Sequence, residues 1–228
     1  TGTIKVSCEK ATVNIPCPKA EALMYRTKGF GSEEVVPKTV SAGELTTAKG
    51  EMIYLPLVYS LGGKTVAVTE SDVRDYPALY LTREAGEGVS LTSTFQKFPK
   101  TTYRAGGWNA NKEIPTGGRW VRIRDYEDFL VETQGTRTFP WRTFVLADSP
   151  AGLCENDIVF ALAAPQAAGD FSWVKPGKVA WDWWNCFDNQ GNEGCNTKTY
   201  ERFIDFAAKT GVEYVIFDEG WSETLNIW

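Results

Sequence analysis

The chain has 228 residues, with 24 Lys and Arg against 29 Asp and Glu, a formal charge of −5 and no His. Its cations are scattered instead of forming the basic stripe that phosphate neutralisation needs, which argues against a nucleic-acid partner. Without imidazole these residues hold no Ser-His-Asp or Cys-His machine and no His-based zinc site, so their chemistry falls to carboxylates.

No apolar run approaches the roughly 20 residues of a membrane span. The opening TGTIKVSCEK lacks the shape of a signal peptide, so any export signal is expected to have been removed or to lie outside this chain. The five cysteines are Cys8, Cys17, Cys154, Cys186 and Cys195, with no C-x-x-C pair to suggest zinc or redox chemistry. Cys186 and Cys195 bracket the polar run FDNQGNEG. A disulfide stapling that loop in an oxidising compartment and five reduced thiols both remain open.

From the N-terminus to about residue 170 the text reads as strands. TIKVS, ATVNIP, MIYLPLVYS, KTVAVTES, ALYLTRE, GVSLTSTF, WVRIRD, FLVET, RTFVLAD and DIVFALAAP are short runs rich in Val, Ile, Thr and aromatics. Many alternate apolar with polar, and Gly, Pro, Asn or Asp separates them. Such spacing predicts a mostly antiparallel β-sandwich. RTKGFGSEEVVPKTVSAGEL and KTTYRAGGWNANKEIPTGG are expected to be long loops.

The pattern changes after Asp170. FSWVKPGK is a Pro- and Gly-marked linker, and KVAWDWW is a continuous apolar run of the kind buried on both faces in a parallel sheet. CNTKTYERFIDFAAKTG predicts a helix, capped at Asn196 or Thr197 and closed by Gly211. Its apolar stripe is Tyr200, Phe203, Ile204 and Ala207. VEYVIFDEGW then reads as a second buried strand ending in two carboxylates and a Trp, which completes a βαβ unit.

Two folds begin in this way. A doubly wound nucleotide-binding domain requires a Gly-rich turn after its first strand, and WDWWNCFDNQG is bulky and aromatic there. A (β/α)8 TIM barrel carries its site at the C-terminal ends of strands, where WDWWN and DEGW stand. The expected organisation is therefore residues 1–170 as part of a β-sandwich, 171–178 as a linker and 179–228 as the start of a barrel. A barrel needs roughly 250 residues and only about 55 follow the linker, so the chain is expected to be a portion of a larger protein.

Three blocks resemble glycoside hydrolase family 97, the α-glucosidases and α-galactosidases of gut Bacteroides and their relatives. VTESDVRDYPALYL is similar to a sandwich segment in which a Glu precedes an Asp-Tyr turn. FPWRTFVLADSPAGLCENDIVFALAAP resembles the closing sandwich strands, and SWVKPGKVAWDWWN, continuing to GVEYVIFDEGWS, the first two barrel strands. The likeness runs from about residue 55 to the C-terminus, and the first 50 residues resemble the family more loosely.

The resemblance implies a periplasmic or secreted, calcium-dependent, exo-acting α-glycoside hydrolase acting on an α-linked oligosaccharide. It also implies that Glu70, reaching from the sandwich, is one ligand of an active-site Ca²⁺. That ion takes six to eight oxygens, so a carboxylate reaching across a domain boundary can complete its shell. Without the resemblance, Glu70 reads as a solvated strand-end carboxylate.

Substrate-binding candidates are Trp183 and Trp184 after the first barrel strand, and Asp218, Glu219 and Trp221 after the second. By analogy with related α-galactosidases, Asp218 accepts from a sugar hydroxyl and Trp184 or Trp221 stacks on the ring. Packing roles for Trp183 and Trp221 remain open, because alternation sends only some of these side chains to the mouth. The catalytic carboxylates are expected beyond Trp228, with none in this chain, so the chain by itself is expected to be inactive. The WDWWN form leans towards the retaining α-galactosidase branch. An inverting α-glucosidase of the same family and a non-catalytic carbohydrate-binding β-sandwich are the alternatives.

Overall fold

The computed structural model describes residues 2–30, 35–106, 112–114, 120–165, 169–181 and 196–217. The chain divides into two compact units. The first holds residues 1–102 and 123–165, and the second holds 103–122 and 166–228.

The strands of the first half are β1 (Thr3–Val6), β2 (Thr12–Asn14), β3 (Glu21–Met24), β4 (Arg26–Lys28), β5 (Lys38–Ser41), β6 (Glu51–Tyr54), β7 (Leu57–Leu61) and β8 (Lys64–Ser71). They are followed by β9 (Tyr80–Thr82), β10 (Ser90–Thr94), β11 (Pro99–Ala105), β12 (Trp120–Tyr126), β13 (Val131–Gln134) and β14 (Trp141–Ala147). The first unit holds two five-stranded sheets, in the orders β2-β10-β9-β6-β4 and β14-β8-β7-β3-β5, and a separate β1-β13 pair. Every pairing given for them is antiparallel.

Alternation makes this a sandwich. Val13, Ile53, Leu81 and Leu91 from one sheet share a core with Ala22, Leu57, Tyr59, Val66 and Val68 from the other. Ile53, Leu57, Leu81 and Leu91 are wholly buried, and each contributes about 1.5–3 kcal/mol by leaving water. Between β7 and β8, Gly62 and Gly63 take φ of 58° and 78°, and Leu61 pairs with Lys64 across them. A two-residue turn with two positive φ values matches the twist of the strands it joins, and glycine adopts it without a Cβ penalty.

Several expectations need correction. MIYLPLVYS is not one strand: β6 and β7 lie in different sheets, and Pro56 sits between them after a cis peptide bond. Proline has no N–H for the ladder, so the chain leaves one sheet there and joins the other. The two long loops are partly strand, since β4 and β5 occupy the first and β11 enters the second. DIVFALAAP is helical, forming α2 (Ile158–Leu162) after α1 (Pro150–Cys154). The Asn156 side chain accepts from Ile158 N–H at 3.0 Å, and a short apolar run carries no period that separates strand from helix.

In the second unit, β15 (Val179–Trp181) and β16 (Tyr214–Ile216) pair in parallel, Ala180 opposite Val215, with α3 (Thr197–Thr210) between them in sequence. The side chain of Asn196 accepts from Thr199 N–H at 3.0 Å and caps the helix start. Gly211 ends α3 in the left-handed conformation at φ 74°. Tyr200 and Ala207 of the expected stripe are buried, but Ile204 is 46 % exposed. Among the described residues the strands beside this helix are only three residues long each, too short to cover the whole stripe.

Candidate functional site

Glu70 stands one residue from the end of β8, on the face that sends Val66 and Val68 into the core. Its directly opposed cross-strand partner is Arg142 of β14. Neither side chain is a free surface charge: 14 % of Glu70 and 18 % of Arg142 remain exposed. Arg142 Nη1 donates to Glu70 Oε2, and Leu79 N–H donates to both carboxylate oxygens at 3.1 and 3.2 Å. The Leu79 bond closes the loop between β8 and β9 back onto the strand end, which fixes the carboxylate from two directions.

Arg142 is itself held by Glu9. Its Nε donates to Glu9 Oε1 at 2.8 Å and its Nη2 to Glu9 Oε2 at 2.9 Å, the fork-to-fork geometry that suits a guanidinium and a carboxylate. Glu9 lies in the β1–β2 connection, and Ser93 of β10 fastens that connection. The Ser93 hydroxyl donates to Glu9 O at 3.2 Å and accepts from Ala11 N–H at 2.9 Å. The guanidinium also lies 5.3 Å from the Phe95 ring centre and 5.9 Å from that of Tyr76, within reach of cation–π attraction.

The electrostatics follow from this packing. Burial raises the Glu9 carboxyl, but hydrogen bonding and charge from Arg142, with a further hydrogen bond from Tyr76, outweigh it and leave the pKa lowered. Tyr76 is pushed up to about 12, first by burial and then by its hydrogen bond to the Glu9 carboxylate. Burial works against the Arg142 cation, yet Glu9 and Glu70 more than offset it and its pKa is raised. Two carboxylates around one guanidinium leave the trio with a net charge of about −1 at neutral pH.

The loop that follows Glu70 is anchored on both sides. Asp72 and Asp75 take positive φ of 55° and 47°, a region that Asp tolerates better than most residues. Asp72 Oδ1 accepts from Ala164 N–H at 3.2 Å and pairs with Arg74 at 3.0 Å. Arg137 donates to the carbonyl of Asp75 at 3.3 Å and to Thr133 Oγ1 at 2.7 Å.

The structure thus brings Glu70 together with Arg142, Glu9, Tyr76 and Leu79 N–H. Trp183, Trp184, Asp218, Glu219 and Trp221 lie outside the described residues, as do Cys186 and Cys195. Cys8, Cys17 and Cys154 are free, exposed thiols. In the second unit a cleft of about 600 Å³ lies between α3 and the strand pair, its lining including Trp181, Arg202, Phe203, Phe206 and Ile216. That lining has little to offer sugar hydroxyls. Among the described residues no group of three or more Cys, Asp or Glu is gathered to hold a metal.

Sequence reasoning missed Arg142, Glu9 and Tyr76. Arg142 stands in FPWRTF and Tyr76 in RDYPAL, both inside the blocks singled out, but a single sequence carries no signal that joins residues 72 and 133 positions apart.

The chain matches the family model described as Glycosyl-hydrolase 97 N-terminal over residues 1–165, and that described as Glycoside hydrolase 97 over residues 180–227. It is 38% identical over 207 residues to a retaining alpha-galactosidase of Bacteroides thetaiotaomicron, covering 89% of this chain and 29% of the relative. A probable retaining alpha-galactosidase of Streptomyces bingchenggensis is 28% identical over 184 residues, covering 80% of this chain and 23% of that protein. The chain therefore spans about a quarter of the length of these relatives.

Among solved structures, a Glycoside Hydrolase Family 97 enzyme from Pseudoalteromonas sp. strain K8 in complex with acarbose superposes with a TM-score of 0.68 at 22% identity, covering 96% of this chain and 30% of that one. A variant of a family 97 enzyme from the same strain, in complex with panose, gives 0.63 at 23% identity, covering 90% and 27%. At these identities the likeness speaks for the fold.

Proposed function

Because the chain belongs to glycoside hydrolase family 97, we propose that the protein it comes from is a calcium-dependent, exo-acting, retaining α-galactosidase, periplasmic or secreted, acting on α-linked oligosaccharides. The observation that carries this reading is the 38% identity to a retaining alpha-galactosidase over 89% of the chain. The parallel β15–α3–β16 unit supports reading residues 179–228 as the start of a (β/α)8 barrel. Trp183 and Trp184 follow β15 in sequence, and Asp218, Glu219 and Trp221 follow β16, so all five are candidates for the mouth of that barrel. The catalytic carboxyls, which a retaining mechanism sets about 5 Å apart, then belong to later strands beyond this chain, which by itself is inactive.

Glu70 is our candidate for the sandwich's ligand to calcium. Its carboxylate is held by Leu79 N–H and Arg142, so it meets a cation with little ordering left to do. Arg142 does not cancel its charge, because Glu9 shares the same guanidinium and the trio keeps about −1. A carboxylate offers about four lone-pair directions, so donating neighbours and a metal can share one group. Calcium, when bound, supplies a fixed positive charge in the sugar site.

The test is hydrolysis of nitrophenyl α-galactoside and α-glucoside by the full-length protein, after chelation and with calcium added back. The galactoside should be cleaved at least about tenfold faster, a difference of some 1.4 kcal/mol in the barrier. Calcium should restore chelated activity, and Glu70→Gln should need more calcium for the same rate. Preference for the glucoside would favour the inverting α-glucosidase. Absence of hydrolysis would leave a carbohydrate-binding role, and superimposable calcium curves would return Glu70 to a structural carboxylate. Cell fractionation of the source organism tests the location.

A further inference from the structure

The geometry points to Arg142 as the positioning residue for Glu70: its guanidinium, clamped by Glu9 and walled by Phe95 and Tyr76, aims the Glu70 carboxylate for calcium. The inference rests on the reading of Glu70 as a calcium ligand and assigns a role to residues outside the metal's own shell.

Three observations carry it. Arg142 and Glu70 are directly opposed on neighbouring strands, so the sheet sets their spacing and no flexible loop intervenes. The guanidinium is not free to turn, because Glu9 takes Nε and Nη2 at 2.8 and 2.9 Å and leaves Nη1 facing Glu70. The rings of Phe95 and Tyr76 at 5.3 and 5.9 Å close off the surroundings of the guanidinium. A group so fixed is costly as a surface decoration, and it has the form of an outer partner that orients a metal-binding carboxylate.

The alternative is that Arg142 merely stabilises the sheet, or simply opposes a cation through its charge. The two roles give opposite signs. If charge alone mattered, removing this cation beside a calcium ligand would take the trio from about −1 to −2 and tighten calcium binding. If positioning dominates, the same change loosens binding, because Glu70 must then be ordered by the metal itself. Arg142→Lys separates them further, since it keeps the charge and loses the planar fork that engages Glu9 and Glu70 together.

The experiment is calorimetric titration of Ca²⁺ into chelator-stripped full-length protein, well below the melting temperature of each variant. Wild type, Glu70→Gln, Arg142→Met and Arg142→Lys are compared. We expect Arg142→Met to weaken calcium binding about tenfold or more, the range seen when outer partners of metal ligands are lost. Arg142→Lys should weaken it by a smaller but measurable factor. If the Met variant does not fold, the Lys variant decides, and unchanged affinity there overturns the proposal. Affinity equal to or tighter than wild type in Arg142→Met, with Glu70→Gln weakened, overturns it while leaving Glu70 as a ligand. Unchanged affinity in Glu70→Gln removes the ligand reading, and the positioning role falls with it.

Discussion

A guanidinium shared between two carboxylates sits beside the sandwich core, with Arg142 held by Glu9 and Glu70. The ionisation of Glu9 couples to folding, since its pKa is lowered through Arg142 and Tyr76 despite burial. Such a carboxyl stabilises the fold at pH values above its unfolded pKa, and that contribution is lost as pH falls through the lowered value. Glu9→Gln should therefore reduce stability at neutral pH and flatten its acid dependence below the ordinary carboxylate range. Chemical denaturation of both proteins from pH 7 down to pH 3 checks this, and parallel pH profiles would show that the pair does not couple to folding. Glu70 was legible in the sequence as a strand-end carboxylate, but its partners were not. Glu9 sits in a connection with no pattern of its own, and a cross-strand neighbour becomes visible only once the register of β8 against β14 is known.

At the scale of elements, period and capping carried most of the reading. KTVAVTES became β8 and RTFVLAD the body of β14, because alternation over several residues has one interpretation on a two-faced sheet. Helix α3 was legible for a different reason: Asn196 and Gly211 mark its two ends chemically. Loss of either cap should loosen it. Asn196→Ala removes an acceptor for Thr199 N–H and should cost about 1 kcal/mol. Gly211→Ala puts a Cβ on a residue at φ 74° and should cost a similar amount. Hydrogen exchange of the amides in Thr197–Thr210 reads both directly, and unchanged protection would mean that packing alone sets the helix. The misreadings share a cause. MIYLPLVYS continues its apolar run straight through Pro56, where the chain changes sheets, and DIVFALAAP is too short for its period to declare itself.

At the scale of the whole molecule, the sandwich and the parallel βαβ unit carry separate parts of the proposed function. The sandwich presents a preorganised carboxylate, and the strand ends of the second unit lead in sequence to the aromatic and acidic groups suited to a sugar. The sandwich was legible because a succession of short strand-like runs leaves few other architectures, while a (β/α)8 barrel is inferred from one parallel pair and the residues that follow its strands. What the proposed enzyme does to its substrate is written in the configuration of the sugar it releases. Proton NMR of full-length protein acting on nitrophenyl α-galactoside, recorded within the first minutes, distinguishes the two outcomes before mutarotation blurs them. A retaining enzyme must release α-galactose first, because two displacements at the same carbon restore its configuration. Release of the β-anomer first would mean a single displacement by water and would contradict the account.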